Sequence, residues 1–335
     1  MGLFGKKAVG LQIDAYEARA VELHGRPDAA RLIKYGTLEL PEGCVKDGAV
    51  LDPEKLGKSL SLLWDKCRIK VREAIISVSN QDVLVRFATF PRVPQDKLDN
   101  LIRFQAQDFL PMPVNTVVLD YIVLEGPESK ESNTIEVLLV AARRSMLSGF
   151  IKAFESAEIT PLDIDVTSLS LLRMLKGEDL KRGVAVVELG NELGNILLSV
   201  KGVPRLARLI PVSISEFLKQ HINWGGTGSF EIDKSRLEPH ELDELGDVIA
   251  GGMQSSINYY YVQSSSETIA KLLLCGRGLK VPGLLDKLKN SFDMPVEVLN
   301  PMSSIQVSKE CAGMEKIDAS DYAISISMAL RGLEG

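Results

Sequence analysis

Histidine and cysteine are scarce in this chain. Its 335 residues include three histidines (His24, His221, His240) and four cysteines (Cys44, Cys67, Cys275, Cys311). No two cysteines make a CxxC pair, and none has a histidine at zinc-finger spacing. The thiols therefore read as reduced cysteines of a cytosolic protein, not as a metal or redox site. HExxH and Ser-His-Asp arrangements are missing as well, so hydrolases of those kinds have no support. No run reaches the roughly 18–20 apolar residues of a membrane span, and MGLFGKK is too short for a signal peptide. Gly2 would suit myristoylation, but Lys6 stands where Ser or Thr is wanted. A basic excess is also lacking. The 39 Lys and Arg are outnumbered by 45 Asp and Glu, and the net charge is −6. A nucleic-acid surface, which needs clustered Lys and Arg, is excluded on that ground. There is no GxxxxGK[ST] loop, and the glycines of GRGLKVPG (276–283) are wrongly spaced for a dinucleotide loop.

What the chain does have is the balance of a globular protein. Hydrophobic residues make up 45% and charged residues 25%, enough to build a large core without disulfides or metals. Apolar runs at 8–13, 18–23 and 31–40, separated by short turns, read as three strands. Asp52-Pro53 then opens a helix, with Asp52 as N-cap and Pro53 in its first turn. Leu56, Leu60, Leu63 and Cys67 recur on one face of it. REAIISVSN (72–80) is a further strand.

The rhythm changes after residue 82. A strand at 83–90 precedes a helix over 94–109 with Leu98, Leu101, Ile102, Gln105 and Phe109 on one face, stopped by Pro111 and Pro113. Strands at 117–124 and 135–142 flank a polar turn at 126–134. A helix over 145–157 and a strand at 159–166 follow. The order βαββαβ is that of a ferredoxin-like module, inserted at 83–165. The first pattern then returns, with strands at 184–189, 195–200 and 204–212 and a helix from about 215. A Gly-rich excursion at 224–241 leads to a long helix over 242–262, with Leu245, Ile249, Met253, Ile257, Tyr260 and Tyr261 on its buried side. Two glycines inside that helix, Gly251 and Gly252, are unexpected, since each costs about 1 kcal/mol relative to Ala. A meander of three strands and a helix, occurring at residue 8 and again at 184, is the duplicated, two-lobed α/β plan of actin-like proteins. The expected division is 1–82 plus 166–182 for the first lobe and 183–335 for the second.

Several stretches strengthen that expectation. GLQIDAYEARAVEL (10–23), FPRVPQDKLDNLIRFQAQDFLPMPVNTVVLDYIVL (90–124), SSINYYYVQ (255–263), LLCGRGLKVPGL (273–284), PVEVLNPM (295–302) and YAISISMALRGLEG (322–335) together resemble the PilM family of type IV pilus assembly proteins, which is itself similar to the cell-division protein FtsA. The resemblance implies an actin-like (ribonuclease H-like) fold with the inserted module. It also implies a cytoplasmic platform, peripheral at the inner membrane through its partners.

An actin-like site cradles phosphates in two β-turns and uses an acidic residue after the first strand for the metal. By resemblance, the nucleotide positions here are Gln12, Asp14, Glu188, Gly190, Gly276 and Gly278. Gln12 stands where the family has Asp, and Asp14 where it has Gly. Glu192, Ser213-Ile214 and Gly252 are further departures. A carboxylate ~4 Å from an anion opposes it by roughly 4 kcal/mol at an effective dielectric near 20. The substitutions favour a non-enzymatic scaffold without cofactor or metal. The alternative is a switch that binds ATP with Mg²⁺. A cytoplasmic component of a type II secretion system is a further alternative.

The implied partner is the cytoplasmic N-terminal peptide of a PilN-like membrane protein, in a groove that involves the inserted module. Leu98, Phe104, Phe109 and Met112 are the candidate partner-binding residues, against a competing reading as core. Other pilus assembly proteins and further copies of the chain are the remaining partners that the resemblance allows. FtsA-type proteins end in an amphipathic membrane tether, and the expectation from the end at Gly335 is that this chain does without one.

Overall fold

The computed structural model describes residues 5–124, 133–217, 222–225, 229–232, 238–263, 267–309, 311 and 319–334. The sequence-expected loop at Gly226-Thr227-Gly228, His221, and all but the end of the turn at 126–134 lie outside those residues. The chain divides into one unit of residues 1–80 and 150–335 and a second of residues 81–149.

The larger unit begins with β1 (Lys6–Ile13), β2 (Glu17–Gly25) and β3 (Arg31–Glu39), then the small hairpin of β4 (Val45–Lys46) and β5 (Ala49–Val50). Helix α1 (Pro53–Cys67) starts as its sequence dictates. The Asp52 side chain accepts from the Lys55 N–H at 3.0 Å, and Pro53 occupies the first turn. Leu56, Leu60, Leu63 and Trp64 are fully buried, and the Trp64 indole donates to the Val71 carbonyl at 2.8 Å. Strand β6 (Glu73–Val78) follows.

In the smaller unit, β7 (Val83–Pro91), α2 (Gln95–Gln105), β8 (Val117–Leu124) and β9 (Thr134–Arg143) form a three-stranded antiparallel sheet ordered β7-β9-β8 with one helix. Leu98 and Ile102 of α2 pack on Phe90, Ile135, Val137 and Leu139. The module is therefore βαββ, not the βαββαβ expected. The chain goes on through α3 (Arg144–Ser156) to β10 (Thr160–Val166), and β10 pairs parallel with β6, from Thr160↔Glu73 to Val166↔Val78. Local order cannot say which sheet a strand joins, and here the last strand completes the first lobe.

After α4 (Thr167–Ser170) comes the second meander, β11 (Gly183–Leu189), β12 (Gly194–Val200) and β13 (Val203–Ile210). Next are α5 (Ile214–Phe217), the hairpin β14 (Ile222–Gly225) and β15 (Ser229–Ile232), and α6 (Pro239–Gln263). The chain closes with β16 (Ile269–Cys275), α7 (Leu284–Asn290), β17 (Val296–Val298), β18 (Gln306–Val307) and α8 (Ala323–Glu334). Along α6, Leu245, Ile249, Met253, Ile257 and Tyr260 are buried, whereas Tyr261 is 37% exposed. Gly252 has a packing role, because a Cβ there would lie 2.7 Å from the Ile210 methyl Cγ2 of β13.

The two large sheets repeat one topology. The first runs β10-β6-β1-β2-β3-β18 and the second β17-β16-β11-β12-β13. Each has an antiparallel meander whose first strand continues into two parallel neighbours. Helix α8 does not belong to the second lobe, as the expected 183–335 division had it. It lies on the first sheet, where a Cβ on Gly10 would collide with the Ser325 carbonyl and one on Gly332 would sit 2.6 Å from the Ala8 Cβ. Its apolar faces are buried at both Ile324 and Ile326, and β18 pairs with β3. The first lobe is thus assembled from both ends of the sequence.

Candidate functional site

The equivalent strands β1 and β11 each end in a tight turn. In the first, the Asp14 N–H donates to the Glu17 carbonyl at 2.9 Å, and in the second the Gly190 N–H donates to the Leu193 carbonyl at 3.1 Å. The two turns face each other between the sheets. The Asp14 carboxylate accepts from the Ala15 N–H at 2.6 Å through Oδ1 and from the Asn191 N–H at 3.1 Å through Oδ2. Gln12 donates from Nε2 to Glu188 Oε1 at 3.2 Å, and Glu188 Oε2 accepts from Asn195 Nδ2 at 2.8 Å. Glu192 reaches the first lobe, where its carboxylate accepts from the Asp47 N–H at 2.6 Å.

A charge network lies behind these turns. Glu17 and Arg19 alternate along β2 and form an ion pair, both buried. Arg19 also donates to Gln12 Oε1 at 3.2 Å. From the second lobe, Asn191 Nδ2 donates to Glu17 Oε1 at 3.3 Å, and the guanidinium of Arg277 lies 3.4 Å from the same oxygen. Arg277 also pairs with Asp321 at 3.2 Å, and Lys280 pairs with Asp321 at 2.5 Å. Gly276 makes this approach feasible. Its φ is +94°, in the region that favours glycine, and a Cβ there would meet the Leu189 carbonyl at 2.6 Å.

Desolvation dominates the titration of the acids. Burial pushes Glu188 up to about 7, against the hydrogen bond from Asn195 and with the help of Asp14. Glu192 is likewise pushed up to about 7 by burial, against the Asp47 N–H. Burial also raises Asp14, opposed by Arg19 and by the two N–H donors. Burial would raise Glu17 too, but Arg19 and Arg277 outweigh it and hold the carboxyl below its usual range.

The structure brings four of the six expected nucleotide positions together. Gln12, Asp14, Glu188 and Gly190 line one cavity of about 40 Å³, with Ser77, Glu192 and Asn195 beside them. That is room for on the order of two or three waters. Gly276 and Gly278 do not line it. They shape the loop that carries Arg277. A wider open groove of about 490 Å³ lies between α1 and the end of α3, lined by Pro53, Glu54, Lys58, Lys152, Glu155 and Ser156.

The four candidate partner residues separate. Leu98 and Met112 are buried in different clusters of the small unit. Phe109 packs on Phe90 with ring centroids 5.4 Å apart. Phe104 is 85% exposed. Among the described residues no group of three or more His, Cys, Asp or Glu is placed to hold a metal ion, and no helix is long and apolar enough to cross a membrane.

Two sheets of one topology, with their first turns apposed across a cleft, define the actin-like class of two-lobed α/β proteins. The family model of the type IV pilus assembly protein PilM matches residues 10–201 and 237–333, and the chain belongs to that family. Among solved structures, a PilM-PilN type IV pilus biogenesis complex matches with TM-score 0.82 at 23% identity, over 98% of this chain and 99% of that one. The ethanolamine utilization protein EutJ from Carboxydothermus hydrogenoformans matches with TM-score 0.50 at 10% identity, over 97% of this chain and 89% of that one.

Proposed function

We propose that this chain is a non-enzymatic scaffold of a type IV pilus assembly platform, and that it captures the cytoplasmic N-terminal segment of a PilN-like inner-membrane protein. The observation that carries the reading is the PilM family match, which covers residues of both lobes and of the small unit. Its likeness in fold to a protein solved as a PilM-PilN complex supports the same partner. The surface of the small unit supports it as well. Phe104 projects from α2 away from the core of that unit, and Val118 and Ile122 of β8 are 43% and 56% exposed. An exposed aromatic is the kind of side chain that anchors a short segment, because it has a large apolar area still to bury. The scaffold sits at the cytoplasmic face of the membrane through that partner.

Phe104 makes the test clean. A substitution at so exposed a position changes stability by no more than about 0.5 kcal/mol. In fluorescence anisotropy with a labelled N-terminal peptide of a PilN-like protein, Phe104→Asp is expected to weaken binding about tenfold or more, the effect of losing a well-buried anchor. The thermal midpoint stays put. Equal affinity in Phe104→Asp and the wild type would take α2 out of the docking surface, and no binding by either would sink the proposed partnership.

A further inference from the structure

The actin-like class implies a nucleotide between the lobes, and the residues present do not fit one. Backbone N–H groups of opposed turns form a concavity suited to an anion. In this chain those donors already have one. The Ala15 N–H of the first turn and the Asn191 N–H of the second both end on the Asp14 carboxylate, at 2.6 and 3.1 Å. A Cβ built on Gly190 would lie 3.6 Å from Asp14 Oδ2, so the carboxyl group rests against the glycine whose bareness should admit a phosphate. The cavity left beside it, about 40 Å³, takes waters and not a triphosphate. Two more acids, Glu188 and Glu192, line it.

We propose that Asp14 is a built-in anion: its carboxylate takes the phosphate's place between the two turns and, with the Gln12–Glu188 and Glu17–Arg277 contacts, bridges the lobes without nucleotide. The tether decides the competition. A group fixed to the chain competes at a high effective concentration, and a free polyphosphate must displace it and then face three acidic side chains that offer it no cation. The charges behind the turns act the same way. Glu17 and Asp321 are both paired with Arg277 from inside the protein, so lobe contact needs no metal–phosphate bridge.

The inference goes beyond the scaffold reading and can fail without it, because peptide capture does not depend on what fills the cleft. The test uses the full chain with inorganic phosphate, pyrophosphate or ATP with Mg²⁺. The wild-type thermal midpoint is expected not to respond to any of them. Asp14→Gly frees both N–H donors and removes the charge. It is expected to melt lower than wild type without added anion and to recover part of the loss with pyrophosphate. A wild-type midpoint raised by ATP and Mg²⁺ overturns the proposal. So does an Asp14→Gly chain that loses no stability or ignores every anion. If Asp14→Gly does not fold, amide hydrogen exchange on the wild type decides. Ala15 and Asn191 are expected to be protected in the absence of nucleotide and unchanged by it. Rapid exchange at either, slowed by ATP, overturns the assignment.

Discussion

Arg277 enters the cleft from the second lobe and meets two acids that have little access to water. Replacing it with Met leaves Glu17 with Arg19, and Asp321 with Lys280, as the charged partner among the described residues. Breaking a buried pair costs about 3–5 kcal/mol, and these surviving partners put Arg277→Met near 3. Urea denaturation measures it. Glu188 makes the opposite kind of prediction. Its folded pKa, about 7, lies above its unfolded value. The folded state therefore holds the proton more tightly, and stability falls as pH rises from about 4.5 to 7. The amount for this buried group is on the order of 3 kcal/mol. Glu192 adds a smaller share, discounted because its side chain is only partly buried. Glu17, with its pKa lowered, contributes stability that disappears only on acidification. The thermal midpoint should drop between pH 5 and 7, and Glu188→Gln should flatten that limb. At this scale the sequence reveals the substitutions at Gln12 and Asp14 but not their partners. Residues 17, 277 and 321 meet only in three dimensions, and the single local clue is Glu17-Ala18-Arg19, two opposite charges on one face of a strand.

Adjacent glycines in α6 test packing against propensity. Gly251 has open space around its missing Cβ, whereas Gly252 faces the Ile210 methyl at 2.7 Å. Gly251→Ala should raise stability by about 1 kcal/mol from helix propensity. Gly252→Ala should lower it by about 1–3 kcal/mol, because the overpacking of β13 exceeds the same gain. Thermal melts of the two variants should shift in opposite directions. The elements themselves were largely legible. The cap at Asp52 and the heptad-like faces of α1, α2 and α6 depend on neighbours three or four residues away, which a sequence displays. Strand partnership does not. The strand at 160–166 reads as the end of the module before it, yet it pairs with β6, and α8 reads as the end of the second lobe, yet it covers β1. In both cases the deciding contacts lie more than 80 residues away in the chain.

Across the whole molecule, contacts that bridge the cleft should couple the two lobes. Trp64 reports on the first lobe, where it is fully buried, and amide exchange in β11 and β16 reports on the second. In a Trp224→Phe background, which leaves Trp64 as the sole indole, the two probes are expected to give one urea midpoint. In a chain that also carries Glu17→Gln and Arg277→Met they are expected to separate, the sign that cooperativity crosses the cleft through those side chains. The small unit has its own clusters.

The position of α8 also sets an order in time. Strands β1, β2 and β6 leave the ribosome long before the helix that covers them. The first lobe must therefore wait, with one sheet face still exposed, while the small unit and the second lobe are synthesised and begin to fold. The lobe begun earlier is completed later, and during synthesis its bare sheet is a surface open to a chaperone.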